Sequence, residues 1–136
     1  MRVVLDSSVV IAAFATQGLC HGVFEACLAD HVLLVSDELL DEVRRNLIRK
    51  VRVPEPVAEG IVGLLRTQAE FHRPAFVEED ACRDSSDRHI LGLALAARCD
   101  CLVTGDDDLL ILRQFRGIEI LTPRRFWERL RASRTE

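Results

Sequence analysis

The sequence predicts an α/β domain: a central, mostly parallel β-sheet flanked by helices on both faces. Short apolar runs alternate along the chain with segments of helical period, the pattern of strands joined through crossover helices. Capping and turn residues stand at the junctions, as in Asp6-Ser7-Ser8, Thr104-Gly105 and Thr122-Pro123. No linker, repeat or low-complexity tract divides the chain, so residues 1–136 are read as one domain. A chain of about this length buries roughly 70% of its unfolded surface, enough for a real core.

Each element follows from its residues. RVVL (2–5) is a continuous apolar run, the mark of a strand buried on both faces. Asp6-Ser7-Ser8 then caps a helix through VVIAAFA. Residues 22–29 are helical, HVLLVS (31–36) is a strand, and residues 37–50 carry apolar side chains at 39, 40, 43 and 47, which is helical spacing. Pro54 and Pro56 stop one element and start another, a helix over 57–71. RPAFV (73–77) reads as a short strand that Pro74 confines to an edge or an end. After the loop EEDACRDSSD come a helix over 86–98, a strand CLV (101–103), a short helix over 109–115 and a strand over 118–121. Thr122 caps the last helix, with Pro123 in its first position.

Composition bounds the function. With 49% apolar residues the chain is not disordered. No apolar run approaches the ~20 residues of a membrane span and no signal peptide is visible, so a soluble, cytoplasmic protein is expected. The formal charge of -4 argues against a uniformly basic nucleic-acid binder, so such a partner needs a local patch. RRNLIRKVR supplies one: Arg44, Arg45, Arg49, Lys50 and Arg52 make five of nine residues basic, and five more arginines lie between Arg124 and Arg134. Pattern alone also fits a solvated helix face and a charged terminus. The five cysteines lack metal or redox spacing and read as reduced core thiols; the four histidines are scattered and show no ligand-pair spacing.

The acidic residues carry the chemistry. In an open parallel sheet, ligands bind outside the carboxyl ends of the strands. Asp6 follows RVVL and Asp106 follows CLVTG, each where a strand gives way to a helix, and Asp87 falls in the first turn of the helix after DSS. Singly, each is explained as a helix cap or a dipole partner, worth about 1 kcal/mol. Together they gather like charges at one sheet edge, which is costly unless a cation neutralises them. Glu42 lies about 115° from the centre of its helix's apolar face, on a boundary; spacing alone does not choose it over Glu38 or Asp41. Carboxylates without His or Cys suit Mg²⁺ or Mn²⁺, and carboxylate-held metals at a strand edge serve phosphoryl chemistry.

Four segments, VVLDSSVVIAAF, SDELLDEVRRNL, CRDSSDRHILGLALAARCDCLVTGDDDLL and GIEILTPRRFWERL, in this order and spacing, resemble PIN-domain proteins. The likeness is to the toxin-like branch related to the VapC toxins of toxin-antitoxin systems, and it covers nearly the whole chain. It implies a single PIN-like domain and a Mg²⁺/Mn²⁺-dependent endoribonuclease. The family's acidic quartet falls on Asp6, Glu42, Asp87 and Asp106, which selects Glu42 over its neighbours. By the same carry-over, Asp6, Asp87, Asp106 and Asp108 bind metal, while Thr104 and Ser8 line the site. Ser8 stands where the family often has asparagine. The basic flank 44–52 would guide RNA, and the resemblance implies a homodimer and a small antitoxin partner. The apolar stretch 57–65 is read first as core and second as an interface. A receiver domain needs a lysine after a late strand, whereas the only lysine is Lys50. The competing reading is a PIN-fold binding or regulatory module without turnover.

Overall fold

The computed structural model describes residues 1–134. The chain runs β1 (Arg2–Leu5), α1 (Ser7–Ala15), α2 (Leu19–Asp30), β2 (Val32–Val35), α3 (Asp37–Asn46), a π-helical turn (Leu47–Val51) and α4 (Glu55–Gln68). It continues through β3 (Glu70–Phe71), α5 (Ser85–Ala96), β4 (Cys101–Val103), α6 (Asp107–Leu110), β5 (Gln114–Phe115), β6 (Ile118–Leu121) and α7 (Pro123–Arg134). One six-stranded sheet has the order β3-β2-β1-β4-β6-β5. Every pairing is parallel except β5 with β6.

This order fixes where a site belongs. From β1 the chain winds outward through β2 to β3, then returns to the other side of β1 as β4. The reversal lies between β1 and β4, and a crevice opens where the connections diverge at the strand ends. β1 and β4 are central, and their apolar runs are buried accordingly: Val3, Val4, Leu102 and Val103 are all fully enclosed. The edges are two-residue strands, which leave little ladder for another chain to pair with. No single helix among the described residues is long and apolar enough to cross a membrane.

Three expected elements differ. RPAFV is not a strand: the edge pairing with β2 is taken by Glu70–Phe71, at the end of the expected helix 57–71. The ladder runs on only to His72, whose N–H donates to the Val35 carbonyl (2.8 Å), and Pro74 has no N–H with which to continue it. The chain then crosses as a strap to α5, where the Ala75 N–H donates to the Gly92 carbonyl (2.9 Å). Residues 109–115 are not one helix. α6 stops at Leu110, and Gln114–Phe115 pair back on β6 through Arg116-Gly117, both at positive φ. Two consecutive positive φ values make the two-residue hairpin turn that matches strand twist. Finally, the helix expected over 37–50 ends at Asn46 and widens into the π-helical turn, closed by Arg52 at φ 63°.

Gly92 is buried within α5 and packs against the strap. A Cβ there would stand 2.2 Å from the Ala75 carbonyl oxygen, so no side chain fits while the strap stays in place. Gly92→Ala is expected to lower stability by about 2–3 kcal/mol through overpacking, despite alanine's better helix propensity. Urea denaturation measures it; an unchanged midpoint contradicts the tight strap contact.

Candidate active site

The β1–β4 register builds the floor of the site. Val3, Val4 and Leu5 pair with Cys101, Leu102 and Val103, so Asp6 and Thr104 emerge at the same level. The Asp6 N–H donates to the Val103 carbonyl (2.9 Å). Asp6 caps α1, its Oδ1 accepting from the Ser7 N–H (2.7 Å), while the fully buried Thr104 hydroxyl donates to Asp6 Oδ2 (2.7 Å). Thr104 Oγ1 in turn accepts from the Asp106 N–H (3.0 Å). One hydroxyl therefore fixes both the first carboxylate and the backbone of the second acidic position.

Two more elements bring their acids to this floor. Asp84 caps α5 by accepting from the N–H groups of Ser86 (2.8 Å) and Asp87 (3.2 Å), which leaves the Asp87 side chain free of capping duty. Glu42, half-buried on α3, accepts from the Ser7 hydroxyl (2.9 Å). Asp6, Glu42, Asp87 and Asp106 all line one open cleft of about 450 Å³, with Ser7, Ser8, Asn46, Lys50, Ser86 and Gly105 on its walls.

The electrostatics follow from this crowding. Asp87 is only 7% exposed, and burial, followed by the charge of Asp106, pushes its pKa up to about 7. Burial also raises Asp6, opposed by the Thr104 and Ser7 hydrogen bonds and reinforced by Glu42 and Asp106. A carboxyl raised this far, first by burial and then by neighbouring carboxylates, marks a site where a cation relieves the cost of ionisation. Carboxylate oxygens of Asp87, Asp106 and Asp108 lie within 4.8 Å of one another. All are hard oxygen donors on a partly solvated edge, a set that fits Mg²⁺ or Mn²⁺ and disfavours soft metals.

The basic candidates divide. Lys50 reaches the cleft because the π-helical turn continues the wall that begins with Glu42 and Asn46. Arg44 instead faces α4, paired with Glu55 (2.8 Å) and Glu59. Arg45, Arg49 and Arg52 are exposed, and none lines the cleft. Asp107 is an exposed first-turn residue of α6, and Asp108 donates its N–H to Asp106 Oδ1 (2.9 Å). From the sequence, Ser7 is expected only as a cap and Asn46 only as a flank neighbour of Glu42. Helical spacing flags Asn46 at i+4 from Glu42, whereas nothing local announces that the Ser7 hydroxyl meets Glu42 thirty-five residues away.

Comparison with known proteins places this geometry. The crystal structure of VapBC2 from Rickettsia felis, bound to a DNA fragment from their promoter, matches with a TM-score of 0.62 at 12% identity, covering 88% of this chain and 97% of that one. Mycobacterium tuberculosis VapC20, described as a sarcin-ricin loop cleaving toxin, matches with a TM-score of 0.60 at 18% identity, covering 86% and 98%. At such identities the likeness is one of fold. No curated protein matches by sequence. The family model of the PIN domain matches residues 2–108, and the chain belongs to the PIN-domain family.

Proposed function

We propose that this protein is a Mg²⁺- or Mn²⁺-dependent endoribonuclease, the toxin of a type II toxin-antitoxin pair, acting in the cytoplasm as a homodimer and restrained by a small antitoxin. The observation that carries the nuclease reading is the meeting of Asp6, Glu42, Asp87 and Asp106 on one open cleft, with Lys50 on its wall. Membership of the PIN family and the fold shared with VapBC2 and VapC20 support the toxin reading. Exposed Val57 and Leu64 on α4 leave apolar surface for a protein partner, while Ala58, Val62 and Leu65 of the same helix serve the core.

Asp87, Asp106 and Asp108 would hold the cation, with Asp6 completing its surroundings. Bound there, the cation would offset the charge of the carboxylates and of the scissile phosphate. The chain's own residues do the rest. Thr104 and the Ser7 N–H keep Asp6 in one rotamer, so its position costs no reorganisation when substrate arrives. Glu42, steadied by the Ser7 hydroxyl, is placed to orient a water and take its proton. Lys50 attracts the RNA backbone into an otherwise acidic cleft, a contribution that weakens with salt.

Purified protein is expected to cleave a mixed RNA pool only with Mn²⁺ or Mg²⁺ present, and Asp6→Asn, folded by circular dichroism, to lose at least about 100-fold in rate. Equal activity of the two proteins, or equal inertness, removes this reading.

A further inference from the structure

A second recess of about 380 Å³ is built on the same two helices, α3 and α5, as the acidic cleft. Its walls are Pro74, Ala75, Phe76 and Val77 of the strap, and Ser85, Arg88 and His89 of α5, with Glu38 of α3 between them. The two recesses share both helices. Ser86 and Asp87 face the acidic cleft where Ser85 and His89 face this one, and Glu38 stands one helical turn before Glu42.

The strap is anchored, yet it displays an aromatic ring. Its backbone is tied to Gly92 through the Ala75 N–H, with no room for a side chain between them, and Val77 is buried in the core at 5% exposure. Between these anchors Phe76 is 85% exposed. A phenylalanine that contributes so little to its own core, on a backbone anchored on both sides, offers a free ring face to a ligand. Arg88, whose guanidinium donates to the carbonyls of Cys82 (2.8 Å) and Arg83 (2.7 Å), is likewise held. The lining mixes this ring with a carboxylate acceptor, an imidazole and a hydroxyl, the equipment for stacking an unpaired base and bonding its edge.

We propose that this recess is a nucleobase subsite for single-stranded RNA, in which Phe76 stacks on the base beside the scissile phosphate and Glu38 and His89 bond its edge. The proposal rests on the nuclease reading and adds to it the class of substrate: an unstacked strand, one of whose flanking bases turns into the recess while the backbone lies in the acidic cleft. That α3 and α5 line both recesses, with Ser85 next to Ser86 and Glu38 one turn from Glu42, favours this occupant over a protein side chain.

The test first maps a cleaved bond in RNA with the intact protein and Mn²⁺. Short RNAs spanning that bond are then made with single abasic nucleotides on either side. Wild type is expected to lose about tenfold in kcat/KM, chiefly through KM, at one abasic position next to the cut. Phe76→Ala should lose about as much on intact RNA and become indifferent to that abasic position, while Phe76→Trp retains wild-type behaviour. If Phe76→Ala cleaves like wild type, or stays as sensitive to the abasic nucleotide, the subsite is refuted and the nuclease stands. Should Phe76→Ala dissociate an oligomer in sedimentation and lose activity on every RNA alike, the surface is a protein interface and the subsite is refuted. Failure of wild type to cleave any RNA with Mn²⁺ overturns the nuclease and the subsite together.

Discussion

Asp106→Asn is expected to abolish divalent-cation binding in calorimetry and to cut Mn²⁺-dependent RNA cleavage by at least about 100-fold, while the protein remains folded. The substitution separates two jobs of one side chain. As the N-cap of α6, Asp106 accepts from the Asp108 N–H through Oδ1 (2.9 Å), and the asparagine carbonyl accepts the same bond. As a carboxylate, Asp106 is the largest charge influence on Asp87, and asparagine removes it. Loss of a direct metal ligand should exceed the 10–100-fold in affinity or activity that outer-shell partners cost. Without metal the variant should be more stable than wild type by on the order of 1 kcal/mol, since a repulsion that raises Asp87 is relieved. Retained cation affinity contradicts the assignment, and a destabilised apo-protein contradicts the electrostatic account of the cluster.

The same double use explains why parts of the site were legible in the sequence and others were not. Asp6 and Asp106 announce themselves because each sits where an apolar run yields to a helix, and both are N-caps, while Asp87 is marked only by its place in the first turn of α5, which Asp84 caps. Local sequence explains a cap and stops there. Their convergence depends on the β1–β4 register, which pairs residues nearly a hundred positions apart. Glu42 shows the limit more sharply. Its helix was plain from Leu39, Leu40, Val43 and Leu47, yet its partner is the Ser7 hydroxyl on α1, and no spacing within α3 encodes that contact.

Each element that differs from its sequence pattern has its own physical cause. Gln68 to Phe71 carries residues compatible with a helix, but Glu70–Phe71 find open backbone groups on β2, and the ladder outcompetes one more helical turn. Residues 109–115 look helical until Arg116-Gly117 is recognised as a hairpin turn; the sequence offers only the glycine as a clue, and the structure holds it at φ 88°. Arg44 lay in the right run of charges but faces Glu55 and Glu59, so composition found a basic segment without showing which side chains serve the cleft. Lys50 serves it because α3 widens into a π-helical turn, a feature with no reliable sequence mark.

Without metal, the protein is expected to lose stability as pH rises from 5 to 8, by on the order of 2 kcal/mol, and divalent cation should cancel the loss. Asp87 titrates near 7 in the folded state and at its ordinary 3.8 when unfolded. Between those values the native protein binds more protons than the unfolded chain, so unfolding free energy falls with rising pH across that window. The full penalty is present above pH 7 and absent below about 4, each tenfold change in the dissociation constant being worth about 1.4 kcal/mol. Asp6 is raised and adds in the same direction. Other perturbed groups act elsewhere on the scale. Glu70, lowered to about 2 by its hydrogen bonds from Arg2 and His72, contributes stability that is complete above its ordinary 4.5 and is lost only in acid. Cys27 and Cys99, pushed up to about 12 by burial, matter only above about 9. A cation must displace the proton on Asp87, so its affinity should climb as pH rises through 7, opposite in sense to the metal-free stability. Thermal melts at pH 5, 6.5 and 8, with chelator and with Mn²⁺, read both trends, and Asp87→Asn should flatten the metal-free one. A metal-free stability that rises over this range, or a slope that survives Asp87→Asn, would show that the strain at the sheet edge does not come from crowded carboxylates.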